Sequence, residues 1–299
     1  MAGAFTAVDL SQLSAPDVVE AIDFEAVLAA MLADLRARDT TFDALVESDP
    51  AHKILEVAAY RETLLRQRVN EATKGVMLAY AAGSDLDQIA ANYNVERLVL
   101  DQGDPDAIPP VPPTLESDAD LRRRVQLSFE GFSTAGPTGA YIFHALGADP
   151  DVLDAAVASP APGDVVVTIL SRQGDGTPSA GLLTAVDAVL SADEIRPLTD
   201  NVTVQAATIV DYAVDATLTL YEGPDATVVK AAAEAALQDY IDAQHRLGRD
   251  VTLSGLYAAL HQPGVQNVAL ASPTADVVIA PDEASHCTGI NVTIGGTDV

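Results

Sequence analysis

An α+β fold is the class this 299-residue sequence predicts, and three observations carry it. The first hundred residues repeat their apolar side chains at helical spacing. A proline-rich stretch, DQGDPDAIPPVPPTLESD, breaks that pattern over residues 101–118. Beyond it, β-rich runs and helical periods are interleaved. The expected organisation is an N-terminal helical bundle region (1–100), a Pro-rich linker (101–117), and two α/β helix-hairpin modules (118–205 and 206–299).

Taken in order, Phe24, Val27, Leu28, Met31, Leu32 and Leu35 follow a cap at Asp23 and predict a helix of about fifteen residues. The stretch SDPAHKILEVAAYRETLLRQRVNEATKGVM opens with a capping residue at Ser48 or Asp49 and Pro50 at the first helical position. Its periodicity predicts a helix over 50–82, on the order of 45 Å long, stopped by Gly83. Ser84 then caps a short third helix, DLDQIAANY.

On the wheel of the second helix, Ile54, Val57, Ala58, Leu64, Leu65, Val69, Ala72 and Val76 occupy an arc of roughly 140°, the width of a core-facing stripe. Arg61 and Arg68 lie inside that arc. A guanidinium is always charged and is costly to bury without a partner. Two readings stand. The stems cover apolar surface while the heads snorkel outward or pair within the chain, for example with Asp34. Alternatively, the helix enters a multi-chain bundle and the arginines meet carboxylates of another subunit.

After the proline-rich segment, Ser117 opens a capping-box-like SDAD before LRRRVQLSFEGF. Leu121, Val125, Leu127 and Phe129 should make apolar contacts, and Arg122 to Arg124 should mostly face water. STAGPTGAYIFHALG supplies a turn and a short helix. VLDAAVASPAPGDVVVTIL reads as a hairpin, followed by a helix over 179–190, a β-rich run from Val202, the turn EGPD, a long helix over 226–244, TLSGLYAALHQPG, and short strands. An internal echo links PDVLDAAVASP (150–160) to PGVQNVALASP (263–273), both following a short helix and both continuing into DVV. Duplicated modules explain it; chance similarity of short Ala/Val runs is the competing explanation.

Composition removes several functions. With 44 acidic against 16 basic residues the formal net charge is −28, and only Lys53, Lys74 and Lys230 are lysines. A nucleic-acid face needs a basic stripe to displace counterions, and an anionic membrane surface repels such a chain. Residues 1–124 hold 11 of the 16 basic groups, so ion pairs should concentrate there. One cysteine, Cys287, allows no internal disulfide, and no leader or long apolar span is visible; a soluble protein made in a reducing cytoplasm is expected. Trp is absent and aromatics are 5%, which disfavours a sugar-binding cleft.

Motifs for chemistry are weak. His52, His144, His245, His261 and His286 show no zinc spacing. Cys287 sits beside His286, but neighbours on an extended chain point to opposite faces. The GDG at 174–176 lacks the remainder of a phosphate loop and reads as a tight turn. Asp101, Asp104 and Asp106 near Gly103 lack the EF-hand pattern and read as a solvated acidic segment. Asp193 and Glu194 are one of many acidic pairs, and no G-x-S-x-G elbow exists. No catalytic residue, metal site or cofactor is expected.

Five stretches, FEAVLAAMLADL, ESDPAHKILEVAAYRETLLRQRVNEA, AAGSDLDQIAANYNVERL, ESDADLRRRVQLSFEGFSTAGPTGAYIFHAL and IRPLTDNVTV, resemble the baseplate J-like family of contractile-tailed phages and related injection machines. They span most of the chain in the family's order. The resemblance implies a non-enzymatic wedge subunit of a tail baseplate, assembled in the host bacterial cytoplasm. It implies two copies joined to one tail protein I-like subunit through an N-terminal helix bundle. It also implies C-terminal contacts with neighbouring wedges, closing a ring around a hub, with hub or sheath-initiator proteins as further partners. Under it the second reading of the arginines is favoured, with Ile54, Ala58, Arg61, Leu65, Arg68 and Ala72 as the partner interface. A hydrolase or a receptor-binding module of the same particle is the alternative.

Overall fold

The computed structural model describes residues 8–133, 135–223 and 225–298, apart from the Ser11 side chain. The first seven residues of the 1–100 region, Thr134 of the STAGP turn, Pro224 of the EGPD turn and Val299 lie outside the described residues. Eight α-helices and eight strands in small sheets give a mixed α+β class among the described residues. They divide into two compact units: residues 8–97 with Leu115–Gln126, and Leu98–Thr114 with residues 127–298.

In the helical unit, α1 (Phe24–Arg38) starts where the Asp23 carboxylate accepts the Glu25 N–H at 2.9 Å. The second helix, α2 (Pro50–Gly75), has Pro at its start and 26 residues. It ends earlier than its periodicity predicts. A Cβ at Gly75 would meet an Asp85 carboxylate oxygen at 2.9 Å, the movable tip of a side chain, and the chain leaves the helix through turns closed by the Met77 N–H on the Lys74 carbonyl at 3.1 Å and the Tyr80 N–H on the Met77 carbonyl at 2.9 Å. Gly83 therefore does not stop α2; with φ of 53° it opens α3 (Gly83–Ala91). Its N–H donates to the Asp118 carboxylate oxygens at 3.1 and 3.3 Å, so the cap expected from Ser84 comes from 35 residues downstream.

Ser117 Oγ accepts the Asp120 N–H at 3.1 Å at the start of α4 (Asp118–Gly131). The arginines that follow do not mostly face water. Arg122 donates to the Leu78 and Ala81 carbonyls at 2.7 Å each. Arg124, 8% exposed, pairs with the fully buried Glu116 at 2.8 Å and donates to the Glu96 carbonyl at 3.0 Å. Arg97 joins Asp87 and Asp118 at 2.7 Å each and donates to the Glu116 carbonyl at 2.7 Å. The physical reason is carbonyl supply: the turns around α3 leave backbone oxygens that guanidinium forks can satisfy. Further along α4, Leu121, Val125 and Leu127 are buried as expected, but Phe129 is 67% exposed.

The proline-rich segment turns back on itself and is not an extended spacer. Strands β1 (Val99–Asp101) and β2 (Thr114–Leu115) form a two-stranded sheet, and Asp104 and Val111 exchange backbone hydrogen bonds of 2.9 Å. Gly103 makes the fold-back possible, because a Cβ there would fall 2.3 Å from the Val111 carbonyl oxygen. Asp101 and Asp104 accept the N–H groups of Gly103 and Asp106, so these acids shape turns.

The other unit carries two three-stranded sheets. After α5 (Thr138–Ala148), β3 (Val152–Ala158) and β4 (Asp164–Ser171) form an antiparallel hairpin. Helix α6 (Ala180–Leu190) then crosses to β5 (Asn201–Ala206), parallel to β4. Tyr141, Ala145, Val165, Val167, Ile169, Val186 and Leu190 fill the space between helices and sheet. The second sheet has the order β7-β6-β8, with β6 (Thr208–Tyr221) central. Helices α7 (Ala226–Gln244) and α8 (Leu253–Leu260) precede β7 (Val265–Ser272), which is antiparallel to β6. Strand β8 (Glu283–Asp298) is parallel to β6 along its whole length.

The echoed segments form β3 and β7. Each follows a short helix, lies at a sheet edge, and is antiparallel to a central strand. In the first sheet that central strand comes next in the chain; in the second it comes two helices earlier. The echo's second DVV accordingly ends in a single bridge, Val277 to Val251. Between the sheets, Arg246 donates to the Leu153 carbonyl at 2.6 Å and the Leu247 N–H to Asp154 Oδ2 at 3.1 Å, over a small cluster of Leu170, Ala207 and Ala284.

Candidate partner interface

Helix α2 is amphipathic in the inverse sense. The side it turns to its own unit buries His52, Ala59 and Asn70. Asn70 holds the backbone of Glu20 by two hydrogen bonds, of 2.9 and 3.1 Å, and Arg66 ties Glu62 and Glu20 at 2.6 and 2.9 Å. Burying these groups gains little hydrophobic free energy. The apolar arc lies on the opposite side: Ile54 is 69% exposed, Leu65 68% and Val76 75%, with Val57, Leu64 and Val69 also exposed. Each such side chain contributes about 1.5–3 kcal/mol once fully covered, so the largest hydrophobic gain available to α2 is unused by the single chain.

Ile54, Ala58, Arg61, Leu65, Arg68 and Ala72 share this outward face, with Ala58 half-buried and the others exposed. Neither Arg61 nor Arg68 makes an ion pair among the described residues, and Asp34 pairs with Arg38 at 3.0 Å instead. Tyr60, 56% exposed, adds an aromatic ring at the margin of the face, which the wheel of aliphatic residues did not include. The electrostatic lock at α3 and α4 was also missed. An acid just before an arginine run, in ESDADLRRR, is the signal that marks it.

The weak chemical motifs fall apart in space. His286 Nδ1 pairs with Asp211 at 2.9 Å, while Cys287 Sγ contacts the Gly289 carbonyl at 3.4 Å. Burial pushes the Cys287 thiol above its usual range, away from thiolate chemistry. Asp175 accepts the Thr177 N–H inside the 174–176 turn. No group of three metal-binding side chains occurs among the described residues, and none of their helices is long and apolar enough to cross a membrane.

Tyr141 does have a demanding environment. It is 2% exposed and donates to Asp200 at 2.8 Å; burial first, then that carboxylate, push its phenol far up. A Cβ at Gly136 would stand 2.6 Å from the Pro197 side chain, so the STAGP turn and the IRPLTDN loop are fitted to each other. That contact is structural.

Among the described residues, α2 thus presents an apolar face that the chain itself leaves uncovered. Comparison with known proteins identifies the family. The chain belongs to the baseplate J-like family: its N-terminal domain model matches residues 47–104, its central domain model 133–206 and its C-terminal domain model 212–293. The chain is 50% identical over 298 residues to Baseplate protein J of Escherichia phage P2, covering 97% of this chain and 99% of that protein. It is also similar to a chain in the cryo-EM structure of the anti-feeding prophage baseplate, 6-fold symmetrised, at 18% identity and a TM-score of 0.43, over 61% of this chain and 44% of that one.

Proposed function

We propose that this chain, a structural subunit of a tail baseplate, acts as a wedge component that docks through the outward face of α2. The observation that carries the proposal is the apolar, arginine-bearing face left exposed by a helix that buries its polar side. Its partners are a second copy of the chain and a smaller, tail protein I-like subunit. Carboxylates from those chains receive Arg61 and Arg68 as water leaves the contact. The helical region 1–100 is the partner-binding domain. The modules 118–205 and 206–299 face neighbouring wedges and the hub. Membership of a baseplate protein family supports a non-enzymatic role, and assembly takes place in the host cytoplasm before the particle is complete.

Co-expression with the small proteins encoded beside it, followed by affinity capture, tests the reading. Leu65→Asp places a carboxylate at the centre of the face without touching the buried side of α2. Loss of the captured partner with unchanged circular dichroism is the expected result. Full retention of the partner would move the interface elsewhere.

A further inference from the structure

The outer edge of β8 carries neither charge nor proline, two of the features that keep sheet edges apart, and its register irregularities, beside Gly289 and after Ile294, bound a regular central stretch. Over residues 288–297 the sequence TGINVTIGGT contains no charged side chain and no proline, in a chain with a net charge of −28. Every residue of this run except Val292 is exposed, and none has a backbone partner on the outer side among the described residues. Its length is about 33 Å. The other edges are shorter: β3 has seven residues, β7 has eight and is bracketed by Pro263 and Pro273, and β5 has six. Unpaired edges of this kind recruit another strand unless charges or proline prevent it.

We infer that the β8 edge pairs antiparallel with β8 of a second copy about a two-fold axis at Val292, fusing two sheets into one of six strands. Two observations select a second copy over a different protein. A strongly acidic chain attracts basic partners at its acidic surfaces, whereas a neutral strip is where two like-charged copies can meet. The strip is also self-complementary. Between the register irregularities next to Gly289 and after Ile294, the strand is regular. A two-fold at Val292 sets Ile290 opposite Ile294 and Asn291 opposite Thr293, all within that regular stretch. Ile290 and Ile294, 36% and 39% exposed, lie with Val292 on the sheet side covered by α7 and α8, so pairing extends that apolar layer across the axis.

A strand pair of this length buries less than the roughly 1,200–2,000 Å² of a stand-alone complex, so it forms at high local concentration. The baseplate reading enters only there, as the setting that concentrates copies.

The test is sedimentation of the full chain over a concentration series, in the wild-type and Leu65→Asp backgrounds, which separates association through α2. Ile290→Lys and Ile294→Asp change net charge in opposite directions, yet each should weaken self-association about tenfold. Combining the two substitutions sets the introduced lysine of one copy against the introduced aspartate of the other at both ends of the pair, and should restore association to about the wild-type level. Self-association that is absent from the wild-type chain, unchanged by the single substitutions, or as weak in the double as in the singles would overturn the proposal. Association lost only with Leu65→Asp would do so too, while leaving the α2 reading standing.

Discussion

Arginine has opposite roles at two places in the helical unit, and each role has a measurable signature. Arg124 is buried against Glu116, so removing the carboxylate strands a guanidinium at 8% exposure. Glu116→Ala should destabilise the fold by about 3–5 kcal/mol in urea unfolding, the usual cost of breaking a buried pair from one side. Arg61 and Arg68 are solvated in the isolated chain and hold nothing together. Arg61→Leu or Arg68→Leu should shift its stability by no more than about 0.5 kcal/mol, yet reduce partner affinity measured by calorimetry. Wild-type affinity in both variants would mean that these side chains only snorkel. The sequence marks Arg61 and Arg68 as misplaced because their apolar neighbours are close in the chain. For Arg122 and Arg124 the sign is weaker, the acids before them in ESDADLRRR, because their carbonyl partners Leu78, Ala81 and Glu96 lie 28 to 44 residues away.

At the scale of elements, helix starts are better marked than helix ends. Asp23, Pro50, Ser117 and Ser179 open their helices as their residue types predict. Helix α2 ends at Gly75 although the apolar spacing continues beyond it, so its stop has no signal in the periodicity. The start of α3 depends on Asp118, whose carboxyl lies below its usual range: burial opposes its ionisation, but Arg97 and the Gly83 N–H outweigh it. A folded pKa below the unfolded value near 3.9 makes a stabilising contribution that is complete above about pH 4 and is lost as pH falls through the folded pKa. Asp118→Asn should therefore be less stable than wild type near neutrality by about 0.5–2 kcal/mol, with the gap closing in acid, as read from urea midpoints between pH 6 and pH 2.5. A gap independent of pH would separate the cap from the charge. The direction of the apolar arc on α2 is the other element-scale lesson. Periodicity identifies a stripe to be covered but not which chain covers it, because a core-facing helix and a partner-facing helix have the same wheel.

For the molecule as a whole, the α+β class and the order of helices and strands were legible because periodicity changes from 3.6 to 2 beyond the proline-rich segment. The folding-back of that segment was not, since proline content signals a lack of helix and says nothing about whether two extended runs pair. The exchange of the central strand between the two sheets was hidden for the same reason: pairing partners two helices apart leave no local pattern. Whether other chains cover the exposed face of α2 is read by native mass spectrometry of the chain co-expressed with its small neighbours. A complex of two copies with one smaller partner is expected, lost in Leu65→Asp and weakened in Arg61→Leu and Arg68→Leu. A wild-type chain that stays monomeric beside every neighbour, or a complex indifferent to all three substitutions, would contradict it.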